Sequence, residues 1–303
     1  MFRLFLFLIL CCTMVVSGSA NAQNPNVKDS LLNLIDSLPD NEEKVMAMNS
    51  YTQFLIEDND SLSEYYAGQL KALAENISYP LGIGRAYDKM AKVEKMKNNS
   101  SQAILYFDSA LYFFELSEEK INEGITYNQK GIVSLNNNNY ELAREQFTKA
   151  REIYADIADS SRLYHAFTNI GITYEMQGMH STALDYYFKS LAINEATQNK
   201  EALASDYMSI GILFKRQLNL DKALDYQLKA LRITEDNGDD YTKALVLTNL
   251  GVIYKDLEKY DEAMNAQEAA MVTFKKIGLH RGVMSNLHNI AMIHFKKGEL
   301  QQA

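Results

Sequence analysis

From residue 83 to residue 303 the small and apolar positions recur with a period of forty. One column of small residues reads Ala91, Gly131, Gly171, Gly211, Gly251 and Ala291. Twelve residues on, a second reads Ala103, Ala143, Ala183, Ala223, Ala263 and Ala303, and seven further a third reads Ala110, Ala150, Ser190, Ala230 and Ala270. Between these columns apolar residues follow helical spacing, so each unit predicts two helices of about four turns. In the unit from Leu163 to Lys200 the first helix carries Phe167, Ile170, Ile172 and Tyr174, and the second, opening near His180 and Ser181, carries Leu184, Tyr187, Leu191 and Ile193. A glycine inside a helix costs about 1 kcal/mol relative to alanine. Its recurrence at four equivalent positions therefore predicts close helix crossings there.

Turn signals fall between the predicted helices. Gly178 and Gly298 mark breaks within units, with Asn136 to Asn139 and Asn219 in the same role elsewhere, and Gly238 and Gly278 mark breaks between units. Asp159, Asn199, Asp239 and Asp240 are placed to cap helices, and Asp221 and Asp261 stand where second helices should begin.

The spacing in "NIGITYEMQGMHSTALDYYFKSLAI" resembles the tetratricopeptide repeat in a form of about forty residues per unit. The resemblance covers residues 83 to 303, with three columns agreeing across five units. It departs from the family pattern at Gln227 and Gln267, which replace the aromatic of Phe107, Phe147 and Tyr187, and it lacks the proline that often closes a shorter repeat. The expected fold class is all-α, a right-handed α-α superhelical solenoid of tetratricopeptide-like helix pairs. Within it, residues 81–303 are the repeat array, and residues 23–80 are a degenerate first repeat serving as N-terminal cap, bounded by Pro80. The helix carrying "NIAMIHFKKGEL" lacks the partner that every earlier first helix has, so the natural polypeptide is expected to continue past Ala303.

Residues 1–22 read as a signal peptide: Arg3, an apolar run from Leu4 to Val16, then Ala20-Asn21-Ala22 before Gln23. The run is short for a membrane span. The expected location is therefore periplasmic or secreted, with inner-membrane anchoring or other membrane attachment only through sequence beyond residue 303. A lipoprotein signal is the weaker alternative, because bulky Leu8, Ile9 and Leu10 precede Cys11 and Cys12. Both cysteines lie in this segment, which leaves the remainder without disulfides or thiolate metal sites.

Composition changes the picture little. With 47% hydrophobic residues but 3 Pro and 14 Gly, the chain lacks the punctuation of a fold of many short strands. A net charge of -9 supplies no positive field for a phosphate backbone, so nucleic acid is not an expected direct ligand.

No catalytic constellation stands out, and neither enzymatic activity nor a cofactor is expected. His165, His180, His280, His288 and His294 form no i,i+4 pair with an acidic companion, and their plainer role is packing or surface polarity. Gly82 and Gly84 follow no strand and open no phosphate loop. The stripes of Met, Tyr and Phe fit core packing.

One column does suggest binding. Two residues before the first small column stand Gln129, Asn169, Ser209, Asn249 and Asn289, with Thr168, Met208, Thr248 and His288 beside them. A carboxamide presents both a donor and an acceptor and so matches a peptide group without reading its side chain. The family resemblance implies that first helices line a concave groove and that asparagines in this column hold an extended peptide; bridging between neighbouring helices explains the same residues equally well. The resemblance also implies that a clamp for a terminal carboxylate is absent, since His165, Ser205, Leu245 and Ser285 occupy the positions where basic residues would stand. The expected function is thus an extracytoplasmic module that binds a protein or peptide segment in its groove. The alternative is the sensor region of a longer membrane-bound signalling protein, a histidine kinase, cyclase or transcriptional regulator, whose output domain lies outside this sequence.

Overall fold

A turn recurs every twenty residues, half the period read from the sequence. Ser78, Asn98, Glu118, Asn138, Ala158, Gly178, Gln198, Leu218, Gly238, Glu258, Gly278 and Gly298 all have φ between +52° and +79°. A side chain at such a position costs roughly 1–2 kcal/mol, yet only four of the twelve are glycine. Helix-end hydrogen bonds offset the strain. The amide of the next residue reaches back five positions, as from Asn99 to the Glu94 carbonyl (2.9 Å), Met179 to Tyr174 (2.9 Å) and Asn219 to Phe214 (2.9 Å), which closes the last turn in the Schellman manner.

The computed structural model describes residues 25–299, and the predicted signal peptide lies outside them. Fourteen helices and no strand occur among the described residues. The described residues divide into two compact units, with the boundary between Ile157 and Ala158. The first contains α1 (Pro25–Ser37), α2 (Glu42–Glu57), α3 (Ser63–Asn76), α4 (Pro80–Met96), α5 (Ser100–Leu116), α6 (Lys120–Asn136) and α7 (Tyr140–Asp156). The second contains α8 (Ser160–Met176), α9 (His180–Thr197), α10 (Lys200–Arg216), α11 (Leu220–Asn237), α12 (Asp240–Asp256), α13 (Tyr260–Lys276) and α14 (His280–Lys297). The boundary falls between two repeats. Inside the forty-residue repeats α4 pairs with α5, α6 with α7, α8 with α9, α10 with α11 and α12 with α13, while α14 packs on α13 of the repeat before it.

The caps follow the same metronome. Asn139, Asp159, Asn199, Asn219 and Asp239 each accept a hydrogen bond from the amide three residues on, which fixes the first turns of α7, α8, α10, α11 and α12. Asp221 and Asp261 instead lie inside the first turns of α11 and α13, where a carboxylate meets the positive end of the helix dipole. Asn219 is therefore a cap, and the left-handed residue of that turn is Leu218.

The small columns are where helices cross. A Cβ on Gly131 would meet the Phe147 ring at 2.5 Å, and one on Gly171 the Tyr187 ring at 2.6 Å. At the next crossing the aromatic is gone, and a Cβ on Gly211 would meet Gln227 Nε2 at 2.7 Å. The Gln227 amide group takes the space of the ring and donates to the Met208 carbonyl at 2.9 Å; Gln267 repeats this with the Thr248 carbonyl at 3.0 Å. Both glutamines are fully buried. Their departure from the aromatic column thus exchanges ring packing for a cross-helix hydrogen bond and keeps the crossing close. In the first unit α1 to α4 share a core around Leu31, Val45, Tyr51, Leu55, Leu70 and Ile83.

Candidate peptide-binding face

The predicted polar column falls on first helices as expected, but its members differ in what they do. In the first unit Gln129 on α6 accepts from Lys95 Nζ at 2.8 Å. In the second, Asn169, Ser209, Asn249 and Asn289 lie half-buried on α8, α10, α12 and α14. Asn289 Nδ2 donates to Gln267 Oε1 at 3.2 Å, so this amide bridges to the second helix of the preceding pair. Among the neighbouring positions, Met208 lends its carbonyl to Gln227, and Thr248 Oγ1 lies 2.9 Å from the Ala244 carbonyl and 3.1 Å from Asn286 Oδ1. His288 is exposed on α14.

Thr168 and Ser209 come together at a cavity of about 300 Å3, lined by Tyr164, His165 and Thr168 of α8 and by Glu201, Ala202, Ser205, Asp206 and Ser209 of α10. Asp206 was not singled out by sequence. Its side chain is buried and its carboxylate accepts from Ser190 Oγ at 2.9 Å and from Asn194 Nδ2 at 2.7 Å. Ser190 Oγ also lies 2.9 Å from Thr168 Oγ1, which joins the network to the predicted column. Burial pushes the Asp206 pKa up to about 6, the two hydrogen bonds pull it back, and Glu195 raises it further. His165 is open to water on one side, yet the protein around it, and then Arg162, lower its pKa.

This network stands where other repeats are uncharged and mostly apolar. The positions of Ser190, Asn194 and Asp206 are held by Ala110, Phe114 and Thr126 eighty residues earlier, and by Ala230, Thr234 and Val246 forty residues later, all of them buried. A sequence signal existed: Asp206 is the only charged residue in the column Ala86, Thr126, Ala166, Asp206, Val246 and Asn286.

The first unit holds a second group that the sequence reading passed over. Arg85, Lys89, Lys92 and Lys95 share one face of α4, and Arg85 stands in the column whose later members are His165, Ser205, Leu245 and Ser285. Arg85 lies two repeats upstream of His165, with Ile125 between them, outside the four positions from which basic residues are missing. These cations have internal partners. Lys92 Nζ pairs with Asp88 at 2.7 Å, Lys89 Nζ pairs with Asp88 at 3.4 Å and donates to Gln53 at 2.8 Å. Burial, then Lys92, lowers the Lys89 pKa to about 7.

Residues 122–196 and 201–276 match the family described as tetratricopeptide repeat. These segments are tetratricopeptide repeats. A stretch of 78 residues is 30% identical to the photosystem I assembly protein Ycf3 of Acaryochloris marina; it covers 26% of this chain, and the chain spans 45% of that relative. Among solved structures the apo form of RapI superposes with a TM-score of 0.78 at 14% identity, covering 91% of this chain and 77% of RapI. A Rap protein complexed with competence and sporulation factor gives 0.65 at 15% identity, covering 99% of this chain and 87% of that one. Identities this low show a common fold. The repeats here share the all-α solenoid architecture of those structures, in agreement with the fold class expected from the sequence. Among the described residues no helix is long and apolar enough to cross a membrane.

Proposed function

We propose that this chain is an exported, non-catalytic interaction module that holds an extended peptide or protein segment along the first helices of its second unit. The observation that carries the reading is the line of Asn169, Ser209, Asn249 and Asn289, half-buried at the same place on α8, α10, α12 and α14 and adjoined by a cavity at its α8–α10 end. Half-buried uncharged polar groups at regular steps suit a peptide backbone, whose donors and acceptors also recur at regular steps. The Rap protein solved with competence and sporulation factor supports the same reading by likeness of fold. Export rests on Arg3, the run from Leu4 to Val16 and Ala20-Asn21-Ala22.

The test is selection from a library of random, end-blocked peptides displayed to the protein, followed by titration of the selected peptides. Replacing Asn169, Asn249 and Asn289 together by alanine weakens binding at least tenfold while helicity stays unchanged. Unchanged affinity in a folded triple variant rejects the groove. Sequencing the N-terminus of protein expressed in a host with an export pathway checks the location, with Gln23 as the expected first residue and retention of Met1 as the contrary result.

A further inference from the structure

Two buried aspartates in this chain are treated oppositely. Asp88 has two lysines within ion-pair distance, while among the described residues Asp206 has neutral donors alone. A buried carboxylate needs compensation, and hydrogen bonds from one hydroxyl and one amide use part of its capacity, since two oxygens offer about four lone-pair sites. Asp206 also borders an open cavity. The charges near it deepen the deficit: Glu201 lines the same cavity and Glu195 raises the Asp206 pKa.

We infer that the cavity between α8 and α10 is a receptor for a cationic side chain, arginine or lysine, of the bound segment, with Asp206 as its counter-ion. The inference rests on the peptide-groove reading and names the chemistry of one anchor in it. Four features fit. The cavity, at about 300 Å3, lies at the small end of the ~300–1,000 Å3 seen for ligand pockets and so suits one side chain. Among the described residues no group of three or more Asp, Glu, His or Cys side chains is placed to hold a metal ion, and two carboxylates without such a third ligand favour an organic cation. Tyr164 in the wall supplies a ring of the kind on which guanidinium groups stack. Ser190 and Asn194 fix the carboxylate in advance, so little ordering remains for binding to supply.

The experiment uses the full chain and three small probes: N-acetyl-arginine methylamide, its uncharged citrulline analogue, and agmatine as a free guanidinium compound. Binding is read from the amide resonances of Ala202, Ser205 and Ser209. The arginine probe binds at least tenfold tighter than the citrulline probe, and the ratio falls to about one in Asp206→Asn. Ser205→Arg, at an exposed position in the cavity wall, blocks the arginine probe without touching the buried network, and covers the case in which Asp206→Asn does not fold. Equal binding of arginine and citrulline probes overturns the inference, as does a ratio that survives Asp206→Asn or Ser205→Arg in folded protein. Agmatine binding tenfold tighter than the arginine probe overturns it too, because the cation would then be a free small molecule. The groove reading fails separately: peptides selected without basic residues, together with silent probes, sink the cation receptor and leave the groove. A responsive arginine probe with no peptide selected sinks the groove and leaves an arginine-selective cavity.

Discussion

Asp88 and Asp206 show two ways for a repeat protein to bury a carboxylate. Asp88, 7% exposed on α4, is flanked by Lys89 and Lys92, and those cations outweigh burial and hold its pKa below the ordinary carboxylate value. Asp206, 3% exposed on α10, is held by Ser190 and Asn194 alone, and burial wins. Local burial is alike; the partner's charge sets the sign. The first site is complete within the chain, whereas the second has its acceptors arranged and its compensating charge missing, which is the condition of a receptor.

The largest expected effect comes from taking away what completes Asp88. Removing one side of a buried ion pair costs about 3–5 kcal/mol, because the other charge stays behind unpaired. Lys89→Met with Lys92→Met should lower the stability of the first unit by that order, read as a shift in the denaturant midpoint. A loss below about 1 kcal/mol would mean that Asp88 is solvated more freely than its burial indicates. Next in size is Asn194→Ala. It removes the 2.7 Å bond to Asp206, and hydrogen bonds to charged groups contribute about 1.5–3 kcal/mol. The same measurement should register a loss in that range at pH 7 and a smaller one at pH 4, where Asp206 is protonated.

The sharpest contrast is one of sign. The Asp206 pKa is raised from 3.8 to about 6, so the folded state binds more protons than the unfolded state between those values and loses stability as the pH rises through them. Burial is the first cause, and Glu195 adds to it. Asp206→Asn removes that loss, and Asn194 Oδ1, buried and without a partner, becomes available to accept from the new amide. The variant should be more stable than the parent at pH 7 by on the order of 2 kcal/mol and equal to it near pH 4, measured by thermal melts across that range. For Asp88 the lowered pKa means stability that is present above 3.8 and lost as the pH falls through the folded value. Asp88→Asn should therefore destabilise at pH 7, opposite to Asp206→Asn. Two shifts of the same sign would abolish the distinction.

The fold was legible because its cause is repetitive. A glycine or alanine every forty residues can be read without knowing what it touches, and Gly131 against Phe147 or Gly171 against Tyr187 is the contact that such a column implies. The twenty-residue turn was hidden, because backbone hydrogen bonds rather than residue type enforce it: Leu218, Ala158 and Glu118 carry no turn signal, yet they adopt the same left-handed conformation as Gly178. At the candidate site the difficulty was inverted. Repeats reveal what recurs, and Asp206 matters because it does not recur. Only the superposition of Ser190, Asn194 and Asp206, sixteen residues apart in sequence, makes one serine in an alanine column part of a buried polar network. Gln227 and Gln267 carry the same lesson, since their match to the backbone of the facing helix cannot be read from a list of residue types.

The smallest expected effect on stability separates binding from folding along the polar column. Asn249 is half-buried on α12, in the position that Asn289 uses to reach Gln267. A surface or half-exposed substitution away from a buried network changes stability by about 0.5 kcal/mol or less, so Asn249→Ala should leave the melting curve nearly unmoved. Asn289→Ala should lower it slightly more, because Gln267 Oε1 then loses a donor. Binding should reverse that order. If the column serves an extended segment, the amide with less internal employment loses more affinity when removed, and titration of a library-selected peptide should show Asn249→Ala weaker than Asn289→Ala. The opposite ranking, with affinity following stability, would assign the column to bridging between helices and move the search for the bound segment to another face.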